Sequence, residues 1–333
     1  MIARPPRVSR APRRAPRARR SFPFAAALLA AWPALALPAP AAAKTVEVTL
    51  TAREMPTVID NKGATQASWT FDGKVPGPLV RVTLGDTVRI TLVNDAANKN
   101  AHSIDFHAAS ADLLGPLAPV KPGETKTFRF EAGHPGVFLY HCGAPNMAQH
   151  VARGMFGVIL VDPKKYTGDY PKPDREYVLV QSELYPNPDD LEPIMAGRWS
   201  NVVFNGTILK YDPVHDPNAA RTLVARPGEL VRIYFANAGP SEFSAFHAIG
   251  GIWERAYPSG NPANVLRGVQ TLTVGPGDAA AFDLVAPGPG SNALVTHSLK
   301  AALTGAIAVI VFDPDADPAM GVWKGDPDAI LVR

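Results

Sequence analysis

Apolar and polar residues alternate along much of this chain. Val46, Val48 and Leu50 are separated by Glu47, Thr49 and Thr51. Leu79-Val80-Arg81-Val82-Thr83 and Val88-Arg89-Ile90-Thr91-Leu92-Val93 repeat the habit. A period of two puts successive side chains on opposite faces of an extended backbone, so these runs predict half-buried β-strands. Turn signals lie between them: Val75-Pro76-Gly77-Pro78, Leu84-Gly85-Asp86 and Lys121-Pro122-Gly123-Glu124. Stretches with a helical period are few, and short strands at this spacing predict an all-β chain of antiparallel sheets.

The pattern then occurs a second time. Phe71-Asp72-Gly73 answers to Phe204-Asn205-Gly206, and Gly85-Asp86-Thr87-Val88-Arg89-Ile90 to Gly228-Glu229-Leu230-Val231-Arg232-Ile233. Asn94 answers to Asn237, and Pro122-Gly123-Glu124 to Pro276-Gly277-Asp278. The run from Arg153 to Pro163 answers to that from Thr304 to Pro314. Matches in the same order with slowly drifting offsets argue for a duplicated domain. The expected organisation is a first domain over 44–163, a Pro- and Lys-rich linker over 164–175 and a second domain over 176–314. An Asp- and Pro-rich tail, 315–333, lies along a surface or a neighbouring chain in this reading.

Composition changes the picture at the N-terminus. The chain has 333 residues and a formal net charge of +3. Residues 1–43 hold eight Arg and no acid, and without them 25 Lys and Arg face 30 Asp and Glu, a net charge of about −5. A basic, nucleic-acid-binding protein is therefore not indicated. Arg19-Arg20-Ser21-Phe22, an apolar stretch from Phe24 to about Leu37 and Ala41-Ala42-Ala43 read as an export signal of twin-arginine type, with the mature chain in the periplasm. A basic tail ahead of a soluble domain is the other reading. Beyond residue 43 no apolar run is long enough to span a membrane.

A single cysteine, Cys142, cannot form an internal disulfide, so in an exported protein it is a spare thiol, an intermolecular partner or a ligand. His141 precedes it, His150 and Met155 follow it, and His102-Ser103-Ile104-Asp105-Phe106-His107 lies upstream. One Cys, two His and a Met form the ligand set of an electron-transferring copper. Strand parity sharpens this. His102 and His107 are five apart, and His141 and Cys142 are adjacent, so each pair should face opposite ways. Two metal sites result: His102, Cys142, His150 and Met155 at one, His107 and His141 at the other, with the 141–142 peptide joining them. Asp105 shares His107's side and is a general acid/base candidate. The second domain has no Cys, and Ala306 stands where Met155 would be. It keeps His247 in Phe246-His247-Ala248-Ile249-Gly250 and His297 in Thr296-His297-Ser298, which are structural or complete a site begun elsewhere. His134 and His215 read as loop residues, and Met147 fits the axial spacing less well than Met155.

These motifs resemble the copper-containing nitrite reductases over the whole mature chain. The resemblance implies two tandem cupredoxin-like Greek-key β-sandwich domains and one copper of each type per subunit. His102, Cys142, His150 and Met155 would bind type 1 copper; His107, His141 and His297 would bind type 2 copper. Asp105 and His247 would be the catalytic pair, and Ile249 would shape the substrate pocket. It further implies a homotrimer in which His297 completes a neighbour's site, nitrite as substrate, nitric oxide as product, and an external cupredoxin or cytochrome c as donor. Gly251-Ile252-Trp253-Glu254-Arg255 and the short Cys-to-His spacing are similar to the enzymes of pathogenic cocci, though this chain lacks their lipobox Cys. A laccase-like multicopper oxidase needs paired His-x-His motifs, and none is present. A simple copper electron carrier would leave His107, Asp105, His247 and His297 without a task.

Overall fold

The computed structural model describes residues 43–317 apart from 113, 114, 116, 220 and 221, together with the backbone of 331–332. The export signal read from residues 1–43 thus lies outside the described residues, save for Ala43. Among those described, no helix is long and apolar enough to cross a membrane.

Four sheets carry the fold. The first joins β1 (Thr45–Val58), β2 (Thr65–Phe71), β4 (Thr87–Asn94) and β6 (Thr125–Glu131) in the order β2-β1-β4-β6. The second joins β3 (Leu79–Thr83), β5 (Asp105–Phe106), β7 (Gly136–His141) and β8 (Phe156–Asp162), with the two-residue β20 (Leu331–Val332) parallel to β3, in the order β20-β3-β8-β7-β5. The third contains β9 (Arg175–Leu184), β12 (Val231–Gly239), β14 (Trp253–Pro258) and β17 (Ala279–Leu284). The fourth contains β13 (Ser244–Ile249), β16 (Thr271–Val274), β18 (Gly290–Thr296) and β19 (Ile307–Phe312). The chain is all-β, with two cupredoxin-like sandwiches in tandem.

Burial follows from the layering. Sheet one is an outer layer, so β1 buries Val46, Val48, Leu50 and Ala52 and turns the intervening residues outward. Val46, Val48 and Leu50 lie beside Val88, Ile90 and Leu92 of parallel β4, which puts six apolar side chains on one face. Sheets two and three are inner layers, covered on both sides, and β8 is accordingly apolar along most of its length. In β8, Ile159 and Val161 face the first core, while Phe156, Val158 and Leu160 face a seam shared with Tyr234, Ala236, Tyr257 and Ala281 of sheet three. In β12, Val231, Ile233 and Phe235 face the second core.

The sequence repeat is a structural repeat. Asp72 and Asn205 have φ of 54° and 50°, and the glycines after them, Gly73 and Gly206, both have φ of 75°. Two consecutive left-handed residues suit Asx-Gly, because the short polar side chain tolerates this region and glycine enters it freely. At Gly206 a Cβ would also meet the Val75 carbonyl oxygen at 2.4 Å.

Candidate metal centres

β7 aims two adjacent side chains in opposite directions. Tyr140 and Cys142 face the first core, whereas Val137 and Leu139 face the seam. His141 shares the parity of Leu139 and is paired across the strand with Asp105 of β5. A short loop and the helix α1 (Met147–Ala152) follow, and α1 turns His150 inward. Three backbone bonds close the loop: Cys142 N–H to the Met155 carbonyl (3.0 Å), Met155 N–H to the His150 carbonyl (3.1 Å) and Gly154 N–H to the Val151 carbonyl (2.9 Å). Cys142, His150 and Met155 are thereby held on one closed loop.

His102, Cys142 and His150 present ligand atoms within 4.8 Å of one another, and all three are buried. The His150 Nδ1 is 3.1 Å from Cys142 Sγ, the His102 Nδ1 is 4.0 Å from it, and the two Nδ1 atoms are 3.3 Å apart. Met155 is fully buried in the same core, whereas Met147 is exposed on α1. The Ser103 N–H donates to Cys142 Sγ (3.3 Å). Burial pushes the Cys142 thiol up, which the Ser103 bond only partly offsets. Burial also holds both imidazoles neutral, with His150 lowered to about 4 by burial and by His102 beside it. A buried thiol facing two bare ring nitrogens is a poor hydrogen-bonding group and a good soft-metal site, so the donor set fits copper.

The second cluster lies across the strand. Asp105, His107 and His141 also present ligand atoms within 4.8 Å, but here His107 is exposed and the other two are partly so. The His107 and His141 Nε2 atoms are 3.0 Å apart. His107 Nδ1 lies 3.1 Å from the Gly277 carbonyl, and His141 Nδ1 lies 3.0 Å from the Cys142 carbonyl. A carbonyl only accepts, so each Nδ1 carries the proton and each Nε2 keeps its lone pair for a metal. Local desolvation and then the neighbouring His141 keep His107 neutral below its ordinary range. The two clusters thus differ in the nitrogen they present: Nδ1 in the buried one, Nε2 in the open one.

His247 and His297 stand apart from both clusters in a single chain. His247 lies within β13 and His297 just past the end of the adjacent β18, with ring centroids 5.6 Å apart. His247 Nδ1 donates to the Gln270 carbonyl (2.6 Å), and His297 N–H bonds the Ala245 carbonyl (2.7 Å). Phe246 and Ala248 face the second core, so His247 and Ile249 point outward, and Ile249 is 50% exposed. Phe243, Ile252, Leu299 and Leu303 are exposed as well. His134 is an exposed bend residue, and His215 bonds Asp212 (2.6 Å).

Two neighbours of the buried cluster escaped the sequence reading. Glu54 of β1 accepts from His102 Nε2 (3.2 Å) and from the Asn100 N–H (2.8 Å). Burial alone would raise the Glu54 carboxyl, but the bonds from Asn100, Lys99 and His102 outweigh it and hold the group below its ordinary value. Trp69 packs edge-on against His102 and His150, at 5.4 and 4.5 Å, with the Arg153 guanidinium over its ring at 4.7 Å. No spacing in the sequence marks Glu54, and its counterpart Glu183 becomes visible only through sheet pairing.

Paired cupredoxin sandwiches with a buried Cys-His-His set define a copper protein. Residues 53–166 match the multicopper oxidase family model. The copper-containing nitrite reductase of Neisseria meningitidis is 35% identical over 292 residues, spanning 84% of this chain and 70% of that protein. The one from Pseudomonas chlororaphis is 33% identical, spanning 85% and 81%. The solved copper nitrite reductase of Nitrosomonas europaea is 58% identical with a TM-score of 0.82, spanning 87% of this chain and all of that one. The chain belongs to the copper-containing nitrite reductases, and is an oxidoreductase.

Proposed function

We propose that the protein reduces nitrite to nitric oxide and water, taking up one electron and two protons per turnover. The observation that carries this is the pairing of a buried Cys142-His102-His150 cluster with an open Asp105-His107-His141 cluster on the two sides of one peptide bond. In this reading His102, Cys142, His150 and Met155 hold type 1 copper, and His107 and His141 hold type 2 copper with His297 of a neighbouring copy. Bound copper would supply one-electron transfer at the first site and Lewis-acid binding of nitrite at the second.

The chain's own residues do the rest. The Cys142–His141 peptide is the covalent link between the two sites. Asp105, on the cross-strand position opposite His141, stands where it can hold a proton beside nitrite. His247, anchored through Nδ1, offers a free Nε2 as the second proton carrier. Ile249 is the apolar wall of the substrate pocket. Self-association is consistent with the exposed Phe243, Ile249, Ile252, Leu299 and Leu303 on the domain that carries His247 and His297, since apolar side chains left in water suit an interface. The open cluster, moreover, draws no third imidazole from its own chain among the described residues. The signal-like residues 1–43 support a periplasmic location, where a cupredoxin or cytochrome c acts as donor.

The test is a copper count with electron paramagnetic resonance and a nitrite assay following nitric oxide. Two coppers per chain with distinct signals and nitric oxide release are expected. One copper per chain without nitric oxide would leave an electron carrier.

A further inference from the structure

The two sandwiches carry the same carboxylate at the same place. β1 runs parallel to β4 with Ala52 beside Asn94, and β9 runs parallel to β12 with Gln181 beside Asn237. Two residues further on stand Glu54 and Glu183. Each accepts two consecutive backbone N–H groups from the loop that leaves the partner strand. Glu54 takes those of Lys99 (3.1 Å) and Asn100 (2.8 Å), and Glu183 those of Ser241 (2.7 Å) and Glu242 (2.5 Å). Two residues past the second clamped amide come His102 in one sandwich and Ser244 in the other. The clamp therefore belongs to the scaffold, and the halves differ in what else it holds.

In the second sandwich the remaining capacity of Glu183 goes to the Ser241 hydroxyl (2.8 Å) and the Tyr185 hydroxyl. In the first, the same Oε1 of Glu54 that takes the two backbone N–H groups also faces the Asn100 amide (3.1 Å) and His102 Nε2 (3.2 Å). An ionised carboxylate only accepts, so His102 carries its proton on Nε2 and keeps the Nδ1 lone pair turned toward Cys142 and His150. The His102 side chain is fully buried and that of Glu54 is 15% exposed, so little water screens this bond.

We infer that Glu54 is a positioning residue that fixes the tautomer and orientation of His102 and thereby lowers the one-electron reduction potential of the type 1 copper. The inference rests on the type 1 reading given above. An imidazole N–H bonded to an anion makes the opposite nitrogen more basic, and a more basic ligand favours the cupric over the cuprous ion. Glu183, with the same backbone bonds and no metal ligand, isolates the purely architectural part of the clamp.

The experiment measures the potential of the visible absorption band in Glu54→Gln, Glu183→Gln and the wild type, with copper content and amide exchange alongside. Glu54→Gln should weaken cupric relative to cuprous binding about tenfold, an upward shift of about 59 mV. Glu183→Gln should speed exchange at Ser241 and Glu242 and leave the potential where it was. A wild type with no visible band and no one-electron couple would end the type 1 reading itself. A normal wild-type couple with an unmoved potential in Glu54→Gln, or an equal shift in Glu183→Gln, would overturn the positioning role alone. Should Glu54→Gln not fold, Glu54→Asp, which keeps the charge but withdraws it by one methylene, is expected to shift the potential upward by at most half as much. No shift there would likewise overturn the role.

Discussion

The first and second sandwiches share a backbone plan and part at the four positions that form the buried cluster. The Thr296 N–H bonds the Ala306 carbonyl as Cys142 bonds Met155, and the Ala306 N–H bonds the Ala301 carbonyl as Met155 bonds His150. Ser244 pairs with Val274 as His102 pairs with Val120. The positions held by His102, Cys142, His150 and Met155 are thus occupied by Ser244, Thr296, Ala301 and Ala306. Both hydroxyls of that set, Ser244 Oγ and Thr296 Oγ1, are buried without a partner. By the same correspondence His247 sits where Asp105 does, each one residue before a core-facing side chain, Ala248 and Phe106. The comparison teaches that the scaffold survives removal of the soft ligands, while the position beside the open face stays titratable in both halves.

The sharpest way to break this contrast is to make the first half like the second. Cys142→Ala should abolish the visible absorption and donor-driven turnover while type 2 copper persists, as read by optical and paramagnetic spectra. Retained donor-driven turnover would end the relay through the 141–142 peptide. His247→Ala tests what the second half contributes, and should lower turnover by about 10²-fold or more with both coppers retained. An unchanged rate constant would remove it from proton delivery.

Smaller effects are expected at the seam and in the interior of the second sandwich. Arg81 of β3 reaches both Asp162 (2.7 Å) and Glu176 of β9 (2.8 Å), and Tyr234 donates to Glu176 (2.6 Å). Burial alone would raise the Glu176 carboxyl, but Arg81 and Tyr234 hold it below its ordinary 4.5. A carboxylate lowered on folding binds fewer protons in the folded than in the unfolded state. Its contribution is therefore complete above about pH 4.5 and is lost as pH falls through the lower folded value. Arg81→Met leaves that carboxylate stranded and should cost about 3 kcal/mol at neutral pH, a cost that shrinks as the carboxyl takes up a proton at acidic pH. Denaturant titrations at neutral and acidic pH would show it, and superimposable curves would refute it. Thr296→Val removes an orphaned hydroxyl and should raise stability by about 1 kcal/mol, visible as a higher denaturation midpoint with unchanged slope. A lower midpoint would show that the hydroxyl is bonded after all.

Much of this was legible in the residues. Alternation located β1 and β4, because a strand of an outer layer exposes one face to water. Parity separated His141 from Cys142, because adjacent residues of an extended strand cannot share a side. Glu54 and Trp69 were not legible, since a carboxylate on β1 and an indole on β2 come to His102 only through sheet pairing and packing. Nor does spacing say which ring nitrogen is free, which depends on acceptors as distant as Glu54 and Gly277.

Read alone, the residues fix the faces of the alternating strands and the separation of His141 from Cys142 across β7, because these depend on chain-local geometry with a period of two. Only the tertiary structure decided that the inner sheets are covered on both faces, that Glu54 and backbone carbonyls orient the imidazoles, and that His247 and His297 face outward. Those outcomes depend on which layers meet, and layer contacts join residues that no local period connects.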